Sequence, residues 1–177
     1  MQSTKLPGVL ILEPTVHRDE RGFFLETYQA ERYKACGIDA NFVQDNHSCS
    51  PRGVLRGMHA QRKHPQGKLV RVVCGEVFDV AVDINPASDS FGQWVGVHLT
   101  EENQHQMWIP PSYAHGFVVL SDVADFEYKC TDYYYPEDEY GLVWNDPQVA
   151  IDWPLPNPVL KDKDRLLPTL EELQRQA

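Results

Sequence analysis

Apolar positions recur at every second residue along much of this chain. The segment EVFDVAVDI (76–84) is the clearest case. Val77, Asp79, Ala81 and Asp83 point to one side, while Phe78, Val80, Val82 and Ile84 point to the other. Side chains alternate across a strand, so this spacing predicts a β-strand with one aliphatic face against a core. Its other face carries two carboxylates and little bulk, as a strand lining a polar cavity would. Further strands are predicted at 9–14, 22–28, 54–61, 68–73, 92–99, 105–110, 115–121, 125–135 and 141–145. Turn signals separate them, among them Ser50-Pro51-Arg52-Gly53, Asn85-Pro86 and Pro110-Pro111.

Helical patterning is confined to two short segments. Residues 29–36 end at Gly37, a residue suited to the position just past a helix. Residues 169–176 follow Pro168 and open with a Thr169-x-x-Glu172 capping box. The proline-rich stretch 153–163 reads as a connection over the surface. Short strands in this number, without alternating helices, predict an all-β fold. The expected form is a cupin-type jelly roll, an antiparallel sandwich or barrel with one or two short peripheral helices. One domain is expected over 1–177, with 153–177 packed on it.

Charge narrows the choice of partners. The chain has 177 residues and a formal net charge of −10. Such a surface repels nucleic-acid phosphates, and no Lys/Arg-rich run reverses it locally, so no nucleic acid is expected. A small anionic ligand remains compatible if a few arginines converge in a pocket. The opening MQSTKLPGVLILEP is broken at Pro14 and is too brief for a membrane span or a signal core, so no membrane is expected. Cys36, Cys49, Cys74 and Cys130 are widely spaced with no C-x-x-C pair, which favours reduced thiols and a cytoplasmic location.

His59, in LRGMHAQ (55–61), and His115, in IPPSYAHGFVVL (109–120), stand in the most suggestive settings for chemistry. A jelly-roll metal site would use a His-x-His pair, a later carboxylate and a further histidine. Here the pair reads His59-x-Gln61, and Gly67-Lys68 falls where the carboxylate would stand. A fixed ammonium there would repel a divalent cation, so no metal is expected. His47 and His64 lack ligand spacing. The remaining set suits proton transfer beside a carbonyl. Histidine, with a reference pKa of ~6.5, is a base at neutral pH, and a carboxylate on its far nitrogen would fix its tautomer. Lysine supplies positive charge to an enolate, and a tyrosine on the opposite face can return the proton.

LRGMHAQ (55–61), QGKLVRV (66–72), GEVFDVAVDI (75–84), FGQWVGV (91–97), WIPPSYAHGF (108–117) and FEYKCTDYYYPEDEYGLVWND (126–146) together resemble the dTDP-4-dehydrorhamnose 3,5-epimerase family. DERGFFLETY (19–28), FVQDNHS (42–48) and LKDKD (160–164) extend the match over nearly the whole chain. The resemblance implies an isomerase acting on dTDP-4-keto-6-deoxyglucose without a cofactor. It implies His59 as base paired with Asp164, Lys68 at the keto oxygen with Asp79 close by, and Tyr128 as acid. Asp79 either takes part in the reaction or serves Lys68 structurally. His115 is implied as a sugar contact. Arg21, Glu26, Gln44, Asn46 and Arg56 are implied for the nucleotide, with Glu139 and Lys163 as further contacts. Tyr134, ahead of Tyr133, is implied to stack on thymine. The family is dimeric, and the strand bearing Arg21 and Glu26 is implied to reach the neighbour's site.

Two positions depart from the family pattern, Ala60 after His59 and Tyr113 before His115, and neither removes a chemical group. Strict alternation sets Arg56 and His59 on opposite faces of one strand. Both can meet one ligand only if the chain twists or bulges near Gly57, and that distortion is predicted.

Overall fold

The computed structural model describes residues 1–176. Its first strands are β1 (Gln2–Ser3), β2 (Leu10–Leu12), β3 (Val16–Asp19) and β4 (Gly22–Leu25), followed by helix α1 (Ala30–Ala35). Then come β5 (Gln44–Pro51), β6 (Leu55–Gln61), β7 (Lys68–Cys74), β8 (Glu76–Asp83), β9 (Trp94–Thr100), β10 (Gln106–Ile109), β11 (Tyr113–Val119) and β12 (Val123–Cys130). A 3₁₀ turn (Pro136–Asp138), β13 (Glu139–Gly141), α2 (Asp162–Arg165) and α3 (Leu170–Arg175) complete the chain. A six-stranded sheet, β1-β2-β10-β7-β12-β5, faces a five-stranded sheet, β13-β6-β11-β8-β9, while β3 and β4 form a separate ribbon. The pairings within the sheets are antiparallel, the arrangement of a jelly roll.

β8 has the alternation the sequence predicts, but both of its faces are buried. Val77 and Ala81 join Val70, Val72, Met107, Phe117 and Phe126 in the core between the sheets. Phe78, Val80, Val82 and Ile84 form a second core on the outer side, with Trp153, Leu155 and Leu160 packed against it and Leu170 and Leu173 within it. The C-terminal segment therefore covers the outside of the five-stranded sheet. Burying each large aliphatic side chain there contributes about 1.5–3 kcal/mol. The two carboxylates of β8 part company. Asp83 accepts hydrogen bonds from the Ser88 and Ser90 hydroxyls and the Asn85 N–H, fixing the turn that follows. Asp79 points inward and is fully buried.

The helix signals act as the sequence indicates. Gln29 Oε1 accepts from the Arg32 N–H at 2.6 Å to open α1, and Gly37 past its end has φ +92°. Thr169 and Glu172 make the reciprocal capping box of α3. β1, β3, β5 and α2 lie outside the predicted elements, and the last strand is shifted. β5 was not predicted as a strand because its two faces are Gln44, Asn46, Ser48 and Ser50 on one side and Asp45, His47 and Cys49 on the other. Alternation is present there, but it carries no hydrophobic contrast. α2 begins inside the stretch 153–163 expected as a surface connection, and Trp153, Leu155 and Leu160 of that stretch pack on the outer core. The last strand is centred on Glu139–Gly141 rather than 141–145, because after Leu142 exchanges hydrogen bonds with Met58 the Val143 N–H turns to the Pro168 carbonyl.

The predicted distortion near Gly57 is present. Against β11, His115 pairs with His59 while Phe117 pairs with Arg56, so two residues of β6 stand opposite the single residue Gly116. Gly57 has φ +130°, and a Cβ there would lie 2.5 Å from the Gly116 Cα, so only glycine fits.

Candidate active site

The bulge turns Arg56 and His59 toward one cavity of about 450 Å³ at one end of the space between the sheets. His59 Nε2 lies 2.8 Å from Asp164 Oδ1. Asp164 is delivered by α2, 105 residues further along the chain, and is almost fully buried. Burial alone would raise its pKa, but the His59 hydrogen bond, the charges of His59 and Lys163 and the Gly57 N–H hold it below the usual carboxylate value. With Nε2 occupied by the carboxylate, Nδ1 is the nitrogen left for a ligand.

The opposite sheet supplies Tyr128 from β12 and Lys68 from the start of β7, and both line the same cavity. Burial pushes the Tyr128 phenol up to about 12, so it is protonated at neutral pH. Lys68 is buried beside Gly67, at which a Cβ would meet Trp108 Cη2 at 2.6 Å. Loss of water lowers the pKa of its ammonium, opposed by Cys130, Asp79 and Glu139. On β11, His115 Nε2 lies 2.8 Å from Asp79 Oδ1. Burial lowers the pKa of this imidazole despite Asp79, which keeps it neutral. Asp79 does not itself line the cavity. Its second oxygen, Oδ2, is buried with no hydrogen-bond partner among the described residues.

The rim is a connected polar network. Gln44 Nε2 donates to Asn46 Oδ1 at 3.0 Å, and Gln44 Oε1 accepts from the Tyr134 N–H at 3.0 Å. The Tyr134 hydroxyl donates to Glu139 at 2.9 Å, and Glu139 also takes the Lys163 ammonium. Arg56 donates twice to Ser50 Oγ, at 3.1 and 2.9 Å. His59, Tyr128, Lys68, Asp164, Gln44, Asn46, Arg56, His115, Tyr134, Glu139 and Lys163 thus share one cavity.

Arg21 and Glu26 do not join them. Arg21 stands on the exposed β3–β4 turn, 83% of its side chain open to solvent, and pairs with Asp19. Glu26 pairs with Arg32 at 2.9 Å. Ser48, Phe117 and Lys161 also line the cavity and were missed in the sequence. Alternation from Gln44 and Asn46 would have found Ser48; nothing local marks Lys161.

Gln61, where a second metal-binding imidazole would stand, is committed to the backbone. Its amide donates to the carbonyls of His64 and Tyr133 and accepts from the Tyr135 N–H. Among the described residues, no three His, Cys, Asp or Glu side chains gather into a metal-holding group. No described helix is long and apolar enough to cross a membrane.

An oriented imidazole, a protonated phenol across from it and a buried ammonium can move protons on and off carbon beside a carbonyl. Fold and site together define a cupin-type jelly-roll enzyme of the sugar-isomerase class. A family model described as dTDP-4-dehydrorhamnose 3,5-epimerase matches residues 3–172. A Pseudomonas aeruginosa protein of that name is 57% identical over 93% of this chain and 93% of its own length. A Legionella pneumophila dTDP-6-deoxy-D-glucose-3,5-epimerase, solved with dTDP-4-keto-L-rhamnose, superposes with TM-score 0.92 at 55% identity, covering 96% of this chain and 94% of that one. A 3′-monoepimerase from Streptomyces bikiniensis, solved with dTDP-quinovose, superposes with TM-score 0.94 at 32% identity, covering 99% of this chain and 90% of that one. The chain belongs to the dTDP-4-dehydrorhamnose 3,5-epimerase family.

Proposed function

We propose that this protein inverts C3 and C5 of dTDP-4-keto-6-deoxy-D-glucose, giving dTDP-4-keto-L-rhamnose on the way to dTDP-L-rhamnose. The observation that carries this reading is the pairing of His59–Asp164 and Tyr128 from facing sheets around a single cavity. His59 Nδ1 removes the proton from a carbon next to the C4 ketone. Negative charge moves to the ketone oxygen, where the Lys68 ammonium stabilises it, with Asp79 helping to hold that charge in a buried wall. Tyr128 then returns a proton to the other face of the ring. His115 contacts the sugar; Glu139 and Lys163 hold it from the rim. Gln44, Asn46 and Arg56 bind the nucleotide, with Tyr134 against thymine. Protons leave and return without net oxidation, so this reading calls for no redox cofactor and no metal.

A homodimer completes the reading. Phe23 and Phe24 on the β3–β4 ribbon are 52% and 71% exposed, a large apolar area for a free hairpin. Arg21 and Glu26 beside them belong, in this proposal, to the site of a second copy. Four free cysteines suit a cytoplasmic enzyme.

Solvent exchange tests the reaction. In D₂O, turnover of dTDP-4-keto-6-deoxyglucose is expected to place deuterium at both C3 and C5. Label at one carbon only would favour a single-position epimerase, as the likeness to the 3′-monoepimerase allows. No label at either carbon would remove the proposal.

A further inference from the structure

The chain as a whole carries a net charge of −10, yet its cavity is lined by four cations, Arg56, Lys68, Lys161 and Lys163, against two carboxylates, Glu139 and Asp164. Two of these cations already have opposing charge. Lys163 is bound to Glu139, and buried Lys68 has Asp79 and Glu139 acting on it. Arg56 and Lys161 have no carboxylate within salt-bridge distance among the described residues; the partner of Arg56 is the neutral Ser50 hydroxyl.

Both residues line the same cavity, and a backbone bridge just before them ties their two segments together. Val54 and Val159 form a parallel bridge, with the Leu55 N–H donating to the Val159 carbonyl at 2.9 Å. Two residues further along each segment stand Arg56 and Lys161. Three residues beyond Lys161, Asp164 meets His59, so the segment touches β6 on either side of Lys161. Ser48 Oγ, on the cavity face of β5, is buried and has no hydrogen-bond partner among the described residues. It is a polar group in the same wall left free for a ligand.

We infer that Lys161 is a phosphate-binding residue of this site, forming with Arg56 a two-cation seat for the diphosphate and with Ser48 as a neutral donor beside it. This inference rests on the proposed dTDP-sugar substrate. Two cations without counter-ions in one cavity match a group that brings its own negative charge, and their pairing with phosphate is charge-assisted. Lys161 acts in binding, apart from the proton transfers at His59 and Tyr128.

Calorimetric titration of the full chain with dTDP and, separately, with thymidine tests the assignment. Lys161→Gln is expected to raise the Kd for dTDP about tenfold, leave thymidine binding unchanged and flatten the salt dependence of dTDP binding. Lys161→Arg should recover most of the lost affinity. In turnover, KM should rise with the dTDP Kd while kcat stays within about twofold of the parent. Unchanged dTDP affinity and salt dependence in Lys161→Gln would overturn the inference, and so would equal weakening of thymidine, which carries no phosphate. The substrate reading fails separately, if the parent protein binds neither compound.

Discussion

His59–Asp164 and His115–Asp79 share one hydrogen-bond length, 2.8 Å, and the register of β6 and β11 sets the two histidines opposite one another. Their surroundings differ. The His59 side chain is 25% exposed, toward the cavity, while that of His115 is 7% exposed and its carboxylate not at all. Asp164 arrives from the C-terminal segment on a four-residue helix, whereas Asp79 comes from β8, the strand hydrogen-bonded to β11. One pair therefore has a free ring nitrogen at a wall that a ligand can reach. The other is almost buried: His115 reaches the cavity wall, burial holds its imidazole neutral, and Asp79 behind it acts on Lys68. The same pairing thus leaves one imidazole more open to the cavity, as the proposed base requires, and the other mostly buried over a fully buried carboxylate.

That division can be broken at each member. His59→Ala has the largest expected effect, a fall in kcat of about 10³–10⁴-fold with dTDP affinity kept within about twofold. Ordinary turnover in this variant would hand the base role to another residue. Asp164→Asn keeps the shape of the pair but no longer stabilises a protonated His59. A loss of kcat of about 10²-fold is expected, again with dTDP binding preserved. Should Asp164→Asn turn over like the parent, its carboxylate only anchors α2. Asp79→Asn is expected to act on stability before rate. Removing a charge from a buried cluster with His115 and Lys68 should cost about 2–3 kcal/mol in denaturant unfolding, with kcat reduced less than about tenfold. A rate loss matching His59→Ala without any shift in unfolding would erase the distinction between the two pairs.

Arg56 and His59 show how far pattern alone reaches. Alternation assigns them to opposite faces of one strand, and the glycine between them was the only local hint of a way out. The bulge opposite Gly116 brings both into the cavity, and it exists because the two glycines approach more closely than any side chain permits. β5 illustrates the reverse limit. It pairs with β12 along its whole length, from Gln44 against Cys130 to Pro51 against Val123, but its inner face lines the cavity instead of the core. Polar residues on both faces left nothing for a hydrophobic period to report.

Sequence by itself determined the all-β class, most of the strands, both capped helices and, through ordered motifs, the residues gathered around His59, Lys68 and Tyr128. Each depends on spacing between near neighbours, which the backbone geometry of strands and helices turns directly into a pattern. Tertiary structure alone decided which pair is the more exposed, that both faces of β8 are buried, and that Lys161 lines the same cavity as Arg56. Those outcomes depend on how sheets, bulge and C-terminal segment close on one another, and contacts between segments a hundred residues apart leave no period in the chain.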